Sequence, residues 1–138
     1  MDEIRVYVEA EINPTESEDK VKQAIENVFG NVETKVQSIY KGRGLLTAET
    51  RSLESLTKLC NLLRRERIRD AARRVLFDGI SGKTISFCLN KQVAFAGHVS
   101  FSKEIAESPL GPIKVKIECE NPRELIDWLA QKPCRVIK

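Results

Sequence analysis

The chain is expected to fold as an α+β protein: a single domain spanning residues 1–138, with a mostly antiparallel sheet and helices packed on one face. Three observations carry that expectation. Several segments alternate apolar and polar residues with a period of two, so each offers one face to a core and one to water. Between them lie segments whose apolar residues recur at helical spacing, which supplies stripes to cover the apolar sheet face. Residues 4–16 (IRVYVEAEINPTE) and 113–124 (IKVKIECENPRE) also echo one another, each an alternating strand that runs into Asn-Pro and then a helix.

The elements follow in order. Ile4, Val6, Val8, Ala10 and Ile12 alternate with Arg5, Tyr7, Glu9 and Glu11, which predicts the first strand. Asn13-Pro14 ends it. Thr15 and Glu18 stand at capping-box spacing and predict a helix start. Val21, Ala24, Ile25, Val28 and Phe29 form its stripe, and Gly30-Asn31 suits its stop. Residues 32–41 and 45–49 read as two strands joined by a Lys41-Gly42-Arg43-Gly44 turn. From Ser52 the pattern is helical: Leu53, Leu56, Cys60 and Leu63 share one stripe, while Ile68, Ala71, Ala72 and Val75 form another, rotated by about a quarter turn. That offset predicts a kink or two successive helices meeting near Arg64–Arg67. Gly79 and Gly82 close the stretch.

Residues 84–89 predict a strand, Asn90-Lys91-Gln92 a polar interruption, and residues 97–101 a return to strand-like alternation. Residues 108–112 (SPLGP) read as a rigid loop. Ile113, Val115, Ile117 and Cys119 alternate with Lys114, Lys116 and Glu118 in the last strand. Asn121 then caps a final helix with Pro122 at its first position and Glu124 completing the box.

A hydrophobic content of 41% suffices for a core, and 31% charged residues argue against disorder in this balance. No apolar run approaches the roughly eighteen residues of a membrane span, and the charged opening lacks the apolar centre of a signal peptide. A soluble, cytoplasmic protein is expected, with no membrane partner. The net charge of +3 is modest but unevenly spread. Residues 1–20 hold seven acids against Arg5 and Lys20, whereas Arg64, Arg65, Arg67, Arg69, Arg73 and Arg74 face only Glu66 and Asp70 between them. A concentrated basic surface on a nearly neutral body suits a polyanion-binding module. A solvated, salt-bridged helix face has the same composition, with Asp70 placed to pair with Arg67, Arg73 or Arg74. Composition alone leaves both readings open.

Other chemistry is thin. Cys60, Cys88, Cys119 and Cys134 are too scattered for a local zinc site, and buried, inert thiols are expected. Gly82-Lys83-Thr84 is not a phosphate loop, because Phe77 stands where that pattern needs glycine and a strand follows rather than a helix. His98 has no nucleophile tied to it by spacing, and no paired carboxylates suggest acid–base catalysis. Tyr7 and Tyr40 are too few for a base-stacking platform. No catalytic residue, metal or cofactor is expected.

The stretches NPTESEDKVKQAIENVF (13–29), RIRDAARRVL (67–76), ISFCLNKQVAFAGHVSF (85–101) and SPLGPIKVKIE (108–118) resemble an uncharacterised archaeal protein family described as RNA-binding and as exosome-subunit-like. The resemblance spans nearly the whole chain. It implies a fold similar to that of the ribosomal protein that binds 5S ribosomal RNA, an archaeal cytoplasm, and no transferable catalytic residue.

The leading expectation is a non-catalytic RNA-binding protein that contacts structured RNA through an arginine-rich helix. Arg67, Arg69, Arg73 and Arg74 would touch phosphates, Lys91 and Gln92 would reach from a turn, and Lys41 and Arg43 would be peripheral. The alternative is a protein-interaction or oligomeric scaffold subunit, its arginines pairing with an acidic partner or with the acidic start of a second copy. A small enzyme ranks last.

Overall fold

The structure is a computed structural model that describes residues 4–30, 32–40, 43–51, 53–102 and 112–130. Lys41, Gly42, Cys134 and most of the expected 108–112 loop lie outside the described residues. Among the described residues twelve elements follow in order: β1 (Ile4–Ile12), α1 (Glu18–Phe29), β2 (Thr34–Tyr40), β3 (Arg43–Thr50), α2 (Leu53–Arg65), α3 (Arg69–Asp78), β4 (Ile80–Ser81), β5 (Thr84–Asn90), α4 (Lys91–Phe95), β6 (Phe101–Ser102), β7 (Pro112–Cys119) and α5 (Pro122–Leu129).

The strands form one antiparallel sheet in the order β2-β3-β1-β7-β5-β4, with β6 beside β5. The expected α+β class is the one observed. The two echoing strands, β1 and β7, pair at its centre, where Ile4 lies opposite Cys119 and Val8 opposite Val115. Period-two alternation then sorts whole rows of residues to one side. Ala48, Val8, Val115 and Phe87 form one buried row across four strands, and Leu46, Ala10, Ile113 and Leu89 form the next.

The helices pack on this apolar face. Val21, Ala24, Ile25, Val28 and Phe29 of α1, Leu56, Leu59 and Leu63 of α2, and Leu125, Ile126 and Leu129 of α5 are buried with it. Each of these side chains larger than alanine contributes about 1.5–3 kcal/mol on burial. The helical layer stops short of β2: Val36 lies beside Leu46 on the core side yet is 45% exposed. The other sheet face carries no helix among the described residues.

Three local expectations are corrected. The Thr15–Glu18 capping box does not form. Glu16 accepts instead from the Asn13 backbone N–H at 3.0 Å and side-chain amide at 2.7 Å, a turn that delays the helix to Glu18 with Ser17 at the cap. The polar interruption at residues 90–92 is the start of α4, because the Asn90 side chain accepts from the Val93 N–H at 3.0 Å and caps a short helix. Residues 97–100 are not a strand. Gly97 takes a left-handed φ of 88° and ends α4, which confines β6 to Phe101–Ser102. The Asn121 cap, Pro122 at the first turn of α5 and the division between α2 and α3 stand as expected.

Candidate nucleic-acid interface

Two amphipathic helices meet at a tight corner, and the arginines gather there. Arg64 and Arg65 occupy the last turn of α2, where cations favour the negative end of the helix dipole. The helix closes through two backbone bonds: Ile68 N–H donates to Leu63 O and Arg67 N–H to Arg64 O, both at 3.3 Å. This is the Schellman arrangement, which places the residue between them in a left-handed conformation that glycine usually fills. Here that residue is Arg67, with φ 57°, the one non-glycine at positive φ among the described residues. The end of α4 uses the same pair of bonds, His98 N–H to Val93 O and Gly97 N–H to Ala94 O, but with glycine in the left-handed position. Holding arginine there costs about 1 kcal/mol.

Ile68 packs on the core and turns the chain into α3, which opens at Arg69. Arg64, Arg67 and Arg74 are exposed and Arg69 is partly exposed. Among the described residues none of these four is in an ion pair. The acids beside them are otherwise placed. Glu66 lies 2.7 Å from the His98 ring through one oxygen and 3.8 Å from Arg65 through the other. Asp70 sits in the first turn of α3, favourable to the dipole, and makes none of the expected arginine pairs. Arg65 also donates to Gly97 O at 2.6 Å, which ties the corner to the end of α4.

Not every expected contact residue joins this surface. Arg73 points into the α3–α5 seam, its side chain only 15% exposed. It donates to Asp127 at 2.8 Å and to Ala130 O at 3.0 Å and lies 5.1 Å over the Phe77 ring. Arg73 is therefore a fastener between helices, not an outward phosphate contact. Arg64, in the basic cluster but not in the expected contact set, takes its place as an exposed guanidinium in no ion pair among the described residues.

Lys91 is also corrected. It is buried, and its ammonium donates to Glu11 O at 2.6 Å and to Glu16 Oε1 at 3.0 Å, pinning α4 to the end of β1. Gln92, next to it, is exposed on the first turn of α4. Arg43 is exposed at the start of β3, and Lys41 lies outside the described residues.

The buried pair has a pH signature. Burial alone would raise the Glu16 carboxyl, but the Asn13 N–H, the Lys91 ammonium and the Asn13 amide outweigh it and hold the group below its ordinary value. A depressed carboxyl stabilises the fold fully above its unfolded value and loses that contribution as pH falls through the folded one. Urea unfolding should therefore show stability declining as pH drops below about 4.5. In Lys91→Met the buried carboxylate loses its cation. About 3 kcal/mol should be lost at neutral pH, and this part of the acid decline should shrink. A neutral-pH stability within about 0.5 kcal/mol of the parent would contradict the role given to Lys91.

Among the described residues no three of His, Cys, Asp and Glu gather as metal ligands, and no helix is long and apolar enough to cross a membrane. Cys60, Cys88 and Cys119 are buried, as expected of inert thiols. Burial pushes the Cys119 thiol up, with the Glu120 charge adding to it.

A family model described as RNA binding matches residues 5–119 of the chain. The UPF0201 protein of Sulfolobus acidocaldarius is 48% identical over 132 residues, which cover 95% of this chain and 90% of that one. The UPF0201 protein of Sulfurisphaera tokodaii is 45% identical over 133 residues, again 95% of this chain and 90% of that one. The crystal structure of a UPF0201 protein from Methanococcus jannaschii superposes with a TM-score of 0.84 at 34% identity, covering 94% of each chain. The family is described by binding and by no reaction. Sequence, fold and coverage agree that the chain belongs to the archaeal UPF0201 family, within the family described as RNA binding.

Proposed function

We propose that the protein is a non-catalytic, cytoplasmic RNA-binding protein whose contact surface is the α2–α3 corner, with Arg64, Arg67, Arg69 and Arg74 on phosphates. Gln92 and Arg43, with Lys41, are peripheral contacts in this reading. One observation carries it: four arginines at the α2–α3 corner are in no ion pair among the described residues, and one of them occupies a backbone position where glycine is cheaper. Residues held in a strained conformation are drawn disproportionately from functional sites. Arginine binds phosphate bidentately, and backbone contacts of this kind suit structured RNA, the ligand class that the implied kinship with the 5S-RNA-binding ribosomal protein also favours.

The corner joins the last turn of α2 to the first two turns of α3, and its arginines form a short ridge. Such a ridge reads the spacing of phosphates along a groove and little of the sequence. Binding to a structured RNA is therefore expected to fall with salt at a logarithmic slope of about −3 to −4, about one unit for each of four phosphates. A flat salt response, or a slope that ignores loss of these arginines, would overturn the assignment.

Arg67→Gly separates function from fold. It relieves the left-handed strain while deleting a contact. Thermal stability should rise by up to about 1 kcal/mol while RNA affinity falls about tenfold. A variant that gains stability and keeps its affinity would exclude Arg67 from the interface.

A further inference from the structure

We propose that the open face of the sheet is a docking surface for a second copy of this chain, related by a two-fold axis that runs parallel to the strands between β1 and β7. This goes beyond the RNA reading, whose arginine corner lies on the helical side of the molecule and which meets this face only through the peripheral contact Arg43. Face charge is the first argument. The open side of β1, β2, β3 and β7 carries Arg5, Lys35, Arg43, Lys114 and Lys116 together with Glu9, Glu11, Glu49 and Glu118. Five positive and four negative groups leave one net positive charge, so the face offers little net attraction to a polyanion or to a partner of one sign.

The pattern is nevertheless ordered. Along the central seam Arg5 stands opposite Glu118 and Glu9 opposite Lys114, with Tyr7 opposite Lys116 between them. A two-fold axis along that seam exchanges β1 and β7. It sets Glu9 over the partner's Lys114, Arg5 over the partner's Glu118 and Tyr7 over the partner's Lys116. From Arg5 to Glu9 on β1, and from Lys114 to Glu118 on β7, each charge then meets its opposite or an aromatic ring, so the central seam is its own complement, as an isologous interface requires.

The second argument is that one chain leaves these charges largely unused. Arg5 is satisfied by Glu49 and Glu118, at 3.4 and 3.8 Å. Glu9, Lys114 and Lys116, by contrast, are in no ion pair among the described residues. Size is adequate. Five strands at about 4.8 Å spacing and about seven residues of about 3.4 Å each span about 24 by 24 Å. That is the scale of the roughly 800 Å² each partner contributes to a standard interface. Polar faces of this kind associate through charge complementarity and are weakened by salt.

Sedimentation equilibrium of the full chain tests this. A dimer is expected at about 0.05 M salt, weakening toward about 0.5 M. Glu9→Lys and Lys114→Glu should each weaken association at least about tenfold, because each two-fold pair then juxtaposes like charges twice. The double swap Glu9→Lys with Lys114→Glu should restore it. Circular dichroism on every variant at the measuring temperature establishes that all are folded, so that loss of association is read separately from loss of structure. A parent that is monomeric throughout overturns the proposal, as does a dimer indifferent to both reversals. A monomer that loses RNA retention on Lys114→Glu assigns the face to nucleic acid and overturns it equally. Because the arginine corner lies on the helical side, failure here leaves the salt slope of RNA binding unchanged, and failure there leaves the dimer intact.

Discussion

Replacing Arg67, Arg69 and Arg74 together by glutamate is expected to weaken binding to structured RNA by more than about a hundredfold at moderate salt. Three phosphate contacts are lost and three repulsive charges appear on the same ridge. The slope of affinity against salt should fall by about three units, one per contact removed. Unfolding stability should stay within about 1 kcal/mol, because among the described residues none of the three is in an ion pair and two of them are exposed. Arg73→Ala is the matched control. It removes the bonds to Asp127 and Ala130 O, so it should cost about 1–2 kcal/mol of stability while leaving RNA affinity almost unchanged. Titration of a fluorescent RNA hairpin, with urea melts of the same preparations, reads both quantities. If the triple variant binds as the parent does, or if Arg73→Ala is the one that loses RNA, the ridge is not the interface.

Gly79→Ala is expected to be the most damaging small change in the molecule, costing about 3 kcal/mol or more. The reason is not the backbone angle, since Gly79 has φ −88°, which any residue accepts. It is proximity. Gly79 ends α3 where the chain turns directly into the β4–β5 hairpin, and its carbonyl accepts from the Ser86 N–H at 3.0 Å. A Cβ there would collide with the Ser86 carbonyl oxygen, which is backbone and cannot swing aside. The helix end and strand β5 would have to separate, taking Leu76 and Ile85 out of contact with the core. Gly82→Ala gives the contrast. Gly82 has φ 61° but nothing within 4 Å of an added Cβ, so its cost should be about 1 kcal/mol. Reversal of that order in urea melts would refute the distinction between crowding and backbone strain.

What could be read from the sequence, and what could not, divides along physical lines. Strands β1 and β7, the α1 stripe, the Asn121 cap and the break between α2 and α3 were all legible, because local periodicity and capping chemistry determine them. The arginine cluster was legible as composition. Its division was not. Arg73 turns inward only because α5, from the far end of the chain, offers Asp127 and the Ala130 carbonyl. Lys91 is buried because the end of β1 supplies an acceptor and an acid. Nothing beside either residue announces such a partner. The left-handed Arg67 was equally hidden, since the usual marker of that position is glycine. Asn90 did carry a usable signal: a side-chain acceptor three residues before Val93 can open a short helix, but Lys91 is a poor choice at a positive helix terminus and obscured it.

The pairing of β1 with β7 reaches beyond the finished molecule. These strands sit at the middle of the sheet, yet Ile4 and Cys119 are 115 residues apart in sequence. During synthesis the ribosome must release the residues through Cys119 before the central ladder can close. Until then β1 has only β3 beside it, and half of its backbone donors and acceptors stay open to other nascent chains. Assembly is thus expected to end in a late, long-range search, and folding should be slow for a domain of this size.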